Sequence, residues 1–312
     1  MNVGEIGGST HVTFPAGSVS GRSKALAVVP LDGGGFGVVA ERTPFHPLDP
    51  GWPDQPGDTG FIQVDDIVQT VVDCLTGVLP ARSEGPLGSG TGLLGSGGLL
   101  LGDDIPARRG DPDWHWLVVH VVERPVPVQA EIELTVNAER RRAFSAGHTA
   151  CHLMALALNA ALAPRWSKDA PRTDGLGRPD FDALAITSSR IVAHGSRDVY
   201  RIGRSLRKKG FTAEGLAESL PEVTAELNRL LAEWVSADVP IRVEAPSPEL
   251  TARRMWHCEL PEGTAEIPCG GTHLRRSGEL SSITAGLELP PGSEELVVET
   301  KAVEAESSDD PA

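Results

Sequence analysis

The chain has 312 residues, of which 40% are hydrophobic and 23% are charged, and its formal net charge is −15. This composition is typical of a folded protein that is long enough for two domains or one large one. The excess of acidic residues argues against non-specific nucleic-acid binding by the whole surface, although it is compatible with a local basic groove.

The sequence contains no long apolar run that would predict a membrane-spanning helix, and its first residues lack the pattern of a secretory signal. Four cysteines in a chain of this length are too few for a disulfide framework. We therefore expect a cytoplasmic protein without a membrane partner, whose cysteines are thiols or metal ligands.

The first part of the chain predicts short β-strands. KALAVVPL, FGVVAERTPF and GFIQVDDIVQTVVDCL, within residues 24–75, are rich in β-branched residues and are bounded by Gly, Pro and Asp clusters. WHWLVVHVV and VPVQAEIELTV continue this pattern after a Gly-rich insertion at residues 82–112, which we interpret as a mobile loop. These features predict a small β-barrel domain over residues 1–135.

The rest of the chain predicts an α+β domain over residues 136–290. Ser145 is the expected N-cap of an apolar helix that Pro164 ends. A second helix is expected after Ser219, because Ser219 and Glu222 have capping-box spacing and an apolar stripe follows. Strands are expected in DALAITSSRIVAHG and PIRVEAP. Residues 291–312 hold seven acids and one lysine, and we expect them to form an acidic tail that is disordered from about Glu304.

Two short segments carry side chains that bind metal ions. HTACH places His148 and His152 four residues apart, so that on a helix both lie on one face. PCGGTH places Cys269 and His273 four residues apart, around a Gly-Gly pair that allows a tight turn. Each pair alone is a weak signal, but three imidazoles and one thiolate together form a tetrahedral donor set for zinc. The other three cysteines are interpreted as packed core or strand residues.

HTACHLM followed by PCGGTHLRRSGEL resembles the editing domain of alanyl-tRNA synthetase and its free-standing relatives, the AlaX proteins; the threonyl-tRNA synthetase editing domain is a more distant cousin. A third segment, TPFHPLDPGWPDQPGDTG, is similar to the family's glycine-rich motif. The resemblance covers most of residues 24–290. It implies a two-layer α/β editing domain with one Zn²⁺ ion on His148, His152, Cys269 and His273. It also implies hydrolysis of the ester between a wrong amino acid and tRNA.

The resemblance further implies residues around the reacting ester. Gln55, Asp58 and Thr59 keep the Q-P-x-D-x-G core of the glycine-rich motif, although Trp52 and extra prolines stand where the family has glycines. We predict that Trp52, Asp58 and Thr59 shape the amino-acid pocket and that Gln55 is catalytic. A Pro-rich turn capped by Asp58 is the structural alternative.

Two more residues are predicted to be catalytic. Catalytic zinc sites usually keep one position open, so Cys269 is predicted to be a weak or displaceable ligand. Lys168 lies near the place where the family often has a glutamine, and we predict that it holds a carbonyl or phosphate oxygen. A solvated loop lysine is the alternative.

Basic residues near these motifs predict contacts with tRNA phosphates. The predicted contacts are Arg141, Arg142, Arg204, Lys208, Arg275 and Arg276. A helix in SRDVYRIGRSLRKKGF would align Arg201, Arg204 and Lys208 on one face, and a solvated charged helix end is the alternative.

The sequence therefore predicts a free-standing trans-editing deacylase that acts on the aminoacylated acceptor end of tRNA. Its expected substrate is Ser- or Gly-tRNA(Ala), or a threonine-like or non-standard amino acid such as fluorothreonine on tRNA(Thr). One alternative is a metal-dependent hydrolase or acyl transferase that acts on small aminoacyl esters without tRNA. A non-enzymatic, zinc-stabilised tRNA-binding module is the other.

Overall fold

A computed structural model describes residues 6–81 and 98–306 of the chain. The chain divides into two compact units, Met1–Arg141 with Ala245–Arg254, and Arg142–Glu244 with Met255–Ala312. The boundary lies at Arg141 and not at residue 135. The segment Ala245–Arg254 returns to the first unit through main-chain hydrogen bonds, which no local sequence pattern indicates.

The first unit is built from β-strands. They are β1 (His11–Val12), β2 (Ser20–Pro30), β3 (Phe36–Ala40), β4 (Arg42–Thr43), β5 (Gly60–Val64), β6 (Ile67–Pro80), β7 (Leu100–Leu101), β8 (Trp114–Val122) and β9 (Glu131–Val136). The sequence predicts a loop over residues 82–112. In the structure, Leu100 and Leu101 of this segment form β7 because they pair with β6. Residues 82–97 of that predicted loop lie outside the described residues.

The main sheet of this unit has the order β5-β9-β2-β3-β8-β6-β7, with every pair antiparallel. β5 also pairs with β6, so the pairings form a closed circuit of six strands. Alternate side chains point into the core, as in β9, where Ile132, Leu134 and Val136 are buried. The predicted strands are confirmed, whereas the small barrel stays a prediction.

One buried histidine sits in the core of this unit. The Nδ1 atom of His120, on β8, lies 2.9 Å from the Val38 carbonyl oxygen, and its Nε2 atom lies 2.8 Å from the Thr43 hydroxyl. Nδ1–H therefore donates to the carbonyl and Nε2 accepts from the hydroxyl, which is the arrangement of a neutral imidazole. Burial lowers the pKa of His120 to about 4, against a smaller opposing effect of the Val38 hydrogen bond.

We predict that His120 makes the first unit less stable as the pH falls from 6.5 to 4. The unfolded chain takes up a proton near pH 6.5, whereas the folded imidazole stays neutral down to about pH 4. The contribution of His120 to the free energy of unfolding therefore falls by about 3 kcal/mol over this range. Hydrogen exchange of the β8 amides measures this change. His120→Gln should lose that part of the pH dependence and the exposed-site control His11→Gln should keep it; equal pH profiles for wild type and His120→Gln contradict the prediction.

The second unit combines helices with two antiparallel sheets. Its elements are α1 (Ala138–Leu162, whose first turn belongs to the first unit), α2 (Phe181–Ala185), β10 (Ile186–Val192), β11 (Gly195–Arg201), α3 (Arg204–Lys208), α4 (Leu220–Ser236), β12 (Ile241–Glu244), β13 (Met255–Leu260), β14 (Gly263–Pro268), β15 (Leu280–Glu288) and β16 (Glu295–Glu304). One sheet has the order β10-β11-β16-β15 and the other β12-β13-β14. Apolar faces of α1 and α4 pack with both sheets in one core. The unit is thus a mixed α/β structure.

Within the described residues of the chain, no helix has the length and apolarity that crossing a membrane requires.

The predicted acidic tail is part of the folded second unit as far as Glu304, where β16 ends. β16 lies between β11 and β15 in the four-stranded sheet. Leu296, Val298 and Ala302 are buried on one face, while Glu299 and Lys301 point outward. The alternation of apolar and charged residues allows an acidic segment to form a strand with one buried face. Residues 307–312 of the predicted tail lie outside the described residues.

The two long predicted helices are confirmed; α4 begins after Ser219 as predicted, whereas α1 begins earlier than predicted. α1 begins at Ala138, where the Asn137 side chain accepts a hydrogen bond from the Arg140 N–H, so Ser145 is an interior residue. α4 begins after Ser219, whose hydroxyl donates to the Leu216 carbonyl instead of capping the helix. The apolar stripe predicted for α4 is buried.

Candidate metal centre

Four potential metal ligands converge in the second unit. His148 and His152 lie on one face of α1, with ring centroids 4.8 Å apart. Cys269 and His273 lie in the loop that follows β14. The Cys269 sulfur is 3.4 Å from His148 Nε2 and 3.3 Å from His273 Nε2. One ligand atom from each of the four residues lies within 4.8 Å of all the others.

This geometry fits a single metal ion. Tetrahedral bonds of about 2.0–2.1 Å to nitrogen and 2.3 Å to sulfur place neighbouring ligand atoms about 3.3–3.7 Å apart. The two Sγ–Nε2 distances of 3.3 and 3.4 Å agree with this range. The Nε2 atom of His152 is buried and has no hydrogen-bond partner within the described residues. A metal ion would satisfy that nitrogen, because a neutral imidazole nitrogen is a metal ligand.

Burial keeps the two helical histidines in the ligating form. It lowers the pKa of His148 to about 3. Burial, followed by the neighbouring His148, also lowers the pKa of His152 well below its usual value. Both imidazoles are therefore neutral at physiological pH, so a metal ion need not displace a proton from either of them.

A tryptophan that sequence reasoning did not select forms a wall of this cluster. Trp256, on β13, is fully buried, and its ring centroid is 5.1 Å from that of His152 and 6.0 Å from that of His273. Such an apolar wall limits the access of water and lowers the local dielectric. The only available signal was its place in MWHCEL, thirteen residues before Cys269, and spacing alone does not reveal that contact.

The predicted pocket residues belong to the first unit. Asp58 is buried, accepts a hydrogen bond from the His46 N–H and forms an ion pair with Arg141. Gln55 is also buried, whereas Trp52 is 45% exposed. The Thr59 carbonyl accepts a hydrogen bond from Asn137 N–H. The contacts of Asp58 are those of a structural residue, whereas the pocket role of Trp52 and Thr59 and the catalytic role of Gln55 stay predictions.

The structure changes the assignment of the predicted tRNA contacts. Arg141 is 5% exposed and bound to Asp58, so it is not available to a phosphate and that prediction is wrong. Arg142 pairs with Glu279 and Glu304. Arg276 pairs with Asp238 through 2.8 and 2.9 Å hydrogen bonds. The exposed Arg275 donates its main-chain N–H to Glu279.

The remaining predicted cations lie at α3. Arg204 and Lys208 are exposed and have no carboxylate partner within the part of the chain that the structure describes. Arg201 ends β11, so it does not share a helix with them and the predicted three-residue alignment is wrong. The Nζ atom of Lys168 donates a 3.0 Å hydrogen bond to the Lys208 carbonyl, at the C-terminus of α3. The ammonium group of Lys168 thereby adds a positive charge at the C-terminus of α3.

Comparison with known proteins gives one partial similarity. No protein-family model matches the chain. A curated alanine–tRNA ligase from Hyphomonas neptunium (strain ATCC 15444) is 26% identical over 207 residues. The similar region is 65% of this chain but 22% of the ligase, so the chain spans about a fifth of that relative's length. This similarity agrees with a synthetase-related editing domain, but it is not specific to the free-standing AlaX proteins.

We predict that Gly147→Ala displaces α1 and weakens the centre. A Cβ atom at Gly147 would lie 2.4 Å from the Val192 carbonyl oxygen and 2.6 Å from that of Gly195. Backbone atoms cannot move out of the way as a flexible side chain does, so the variant should lose about 1–3 kcal/mol of stability. Thermal unfolding and metal titration measure both effects. Gly286→Ala is the control, because no heavy atom lies within 4 Å of its added Cβ. An unchanged melting temperature for Gly147→Ala contradicts the close packing.

We also predict that a divalent metal ion stabilises the second unit through His152. Added Zn²⁺ should raise the melting temperature of the metal-free protein by mass action. His152→Ala should remove most of this increase, while the exposed-site control His11→Ala should leave it intact. Stabilisation that is equal in all three proteins would show that the ion binds elsewhere.

Proposed function

We propose that the chain is an aminoacyl-tRNA deacylase that removes a wrong amino acid from tRNA at a zinc centre. The observation that carries the proposal is the convergence of His148, His152, Cys269 and His273 on one point. Three imidazoles and one thiolate favour zinc over magnesium or calcium, which prefer oxygen ligands. The partial similarity to an alanine–tRNA ligase supports a tRNA-linked substrate.

The proposed substrate is an ester between an amino acid and the terminal ribose of tRNA. When bound, zinc supplies Lewis-acid polarisation of an ester oxygen or orientation of the substrate's polar groups. The protein residues hold the ion with neutral imidazoles and, through Trp256, limit the access of bulk water to it. The proposed amino acid is serine or glycine on tRNA(Ala), or a threonine-like or non-standard residue on tRNA(Thr).

We propose α3 as the place where this chain contacts the tRNA backbone. Arg204 and Lys208 are exposed there, and Lys168 joins them through its hydrogen bond to Lys208. In a protein of net charge −15, cations without carboxylate partners are the groups best suited to hold phosphates.

The main prediction is deacylation of at least one mischarged tRNA. A panel of tRNAs carrying serine, glycine, threonine and fluorothreonine is incubated with wild type, His148→Ala and the control His11→Ala. Wild type and His11→Ala should release the amino acid from at least one tRNA, and His148→Ala should lose that activity. Hydrolysis of small aminoacyl esters alone would favour the alternative enzyme. Zinc-dependent tRNA binding without hydrolysis would favour the binding module.

A second prediction concerns Cys269. The loop thiol is partly exposed, whereas His148 is buried. We predict that Cys269→Ala retains zinc on the three histidines but loses deacylation. Metal analysis and the deacylation assay are performed on the same sample. Complete loss of zinc from Cys269→Ala contradicts a displaceable ligand.

A third prediction separates paired from unpaired cations. Arg204→Ala and Lys208→Ala should weaken tRNA binding and each lower the salt-dependence slope of the affinity by about one. Arg229→Ala is the control, because Arg229 is exposed but pairs with Glu226 and Glu233. Equal salt slopes for all three variants and the wild type would place the tRNA contact elsewhere.

A further inference from the structure

Two hydroxyl side chains of α1 hold the loop that carries Cys269 and His273. The Ser145 hydroxyl lies 2.9 Å from that of Thr272, and the Thr149 oxygen accepts a 3.0 Å hydrogen bond from the Leu274 N–H. Ser145 is 5% exposed and Thr149 is fully buried. Water therefore does not compete for the Thr149 hydrogen bond, and its loss would leave a buried N–H without a partner.

These hydroxyls share one face of α1 with the metal-binding histidines. Residues 145, 148, 149 and 152 have the i, i+3, i+4, i+7 spacing that places side chains on one helical face. The loop thus contacts the helix through Ser145 and Thr149 at the same place where Cys269 approaches His148. Each hydroxyl fixes a loop residue next to a ligand.

Thr149 also contacts a ligand directly. Its oxygen lies 3.4 Å from Nδ1 of His273, while Nε2 of the same ring lies 3.3 Å from the Cys269 sulfur. If Nε2 faces the ion, Nδ1 carries the hydrogen and needs an acceptor. A hydroxyl oxygen has two lone pairs, so Thr149 can accept from both the Leu274 N–H and the His273 ring.

We propose that Thr149, assisted by Ser145, is a positioning residue that arranges the loop and the His273 ring before a metal ion binds. Outer-shell partners that orient a ligating histidine commonly contribute ten- to a hundredfold to metal affinity. This inference rests on the metal centre of the proposed function. It adds a role for two helical hydroxyls that are not themselves ligands.

The test is a titration of the metal-free protein with Co²⁺, in which the visible absorption of the bound ion measures binding. Thr149→Val keeps the shape of the side chain but removes the acceptor, and it should bind Co²⁺ about tenfold or more weakly than wild type. Thr149→Ser restores the hydroxyl and should restore the affinity. The control is Thr300→Val: Thr300 is 3% exposed, and its hydroxyl has no hydrogen-bond partner within the described residues. That variant should bind like wild type.

A second readout remains decisive if Thr149→Val fails to fold. Nitrogen-15 NMR of the metal-free wild type should show His273 with its hydrogen on Nδ1, and hydrogen exchange should show the Leu274 amide protected. Hydrogen on Nε2, or a freely exchanging Leu274 amide, overturns the inference.

The outcomes separate this inference from the proposed function. Wild-type Co²⁺ binding with equal affinity in Thr149→Val overturns the positioning role alone. Failure of wild type to bind Co²⁺ overturns the metal centre and the positioning role together. A tenfold loss that Thr149→Ser reverses supports both, whether or not any tRNA is deacylated.

Discussion

The docking of the loop Cys269–Leu274 onto one face of α1 is the interaction on which the candidate metal centre of the second unit depends. The sulfur of Cys269 and the imidazole of His148 are 121 residues apart in sequence and 3.4 Å apart in space. α1 supplies two ligands at a fixed helical spacing, so the loop needs only to be held in register with it. The close approach of Gly147 to Val192 and Gly195, and the hydrogen bond from His194 N–H to the Ala143 carbonyl, fix α1 on the other side.

Ion pairs after the loop extend this arrangement. Glu279 accepts hydrogen bonds from the main-chain N–H groups of Arg275 and Arg276 and from the Arg142 side chain. Arg142 also binds Glu304 on β16, which lies 2.8 Å from His194. These contacts connect the start of α1, the end of the loop and the last strand. The side chains of Arg142 and Arg276 thus pair with carboxylates, whereas Arg204 and Lys208 at α3 have no carboxylate partner within the described residues.

The sequence indicates the four potential metal ligands because their spacing reflects local geometry. An i, i+4 pair on a helix and a Cys-Gly-Gly-Thr-His turn each fix the relative position of two side chains, so both pairs could be predicted without a tertiary structure. The apolar stripe of α4 and the alternating strands follow from equally local periodicities. The strands predicted from these patterns are confirmed for the same reason.

Features that depend on distant partners could not be predicted in this way. The sequence predicts that Arg141 is a surface cation that contacts tRNA. In the structure Arg141 is buried and forms an ion pair with Asp58, which is far away in sequence. The acidic segment Glu295–Glu304 is a strand because β11 and β15 lie on both sides of it. Serine is a common N-cap residue, yet α1 extends back beyond Ser145 to Ala138. The Ser145 hydroxyl instead forms a hydrogen bond with that of Thr272. In each case a tertiary contact outweighs the local preference.

The central claim is that three histidines and one cysteine bind a single metal ion. X-ray absorption at the zinc edge of the zinc-loaded protein tests it most directly. We predict four ligands, with one sulfur at about 2.3 Å and three nitrogens at about 2.0–2.1 Å. A spectrum without sulfur, or one with mainly oxygen ligands, would contradict the account.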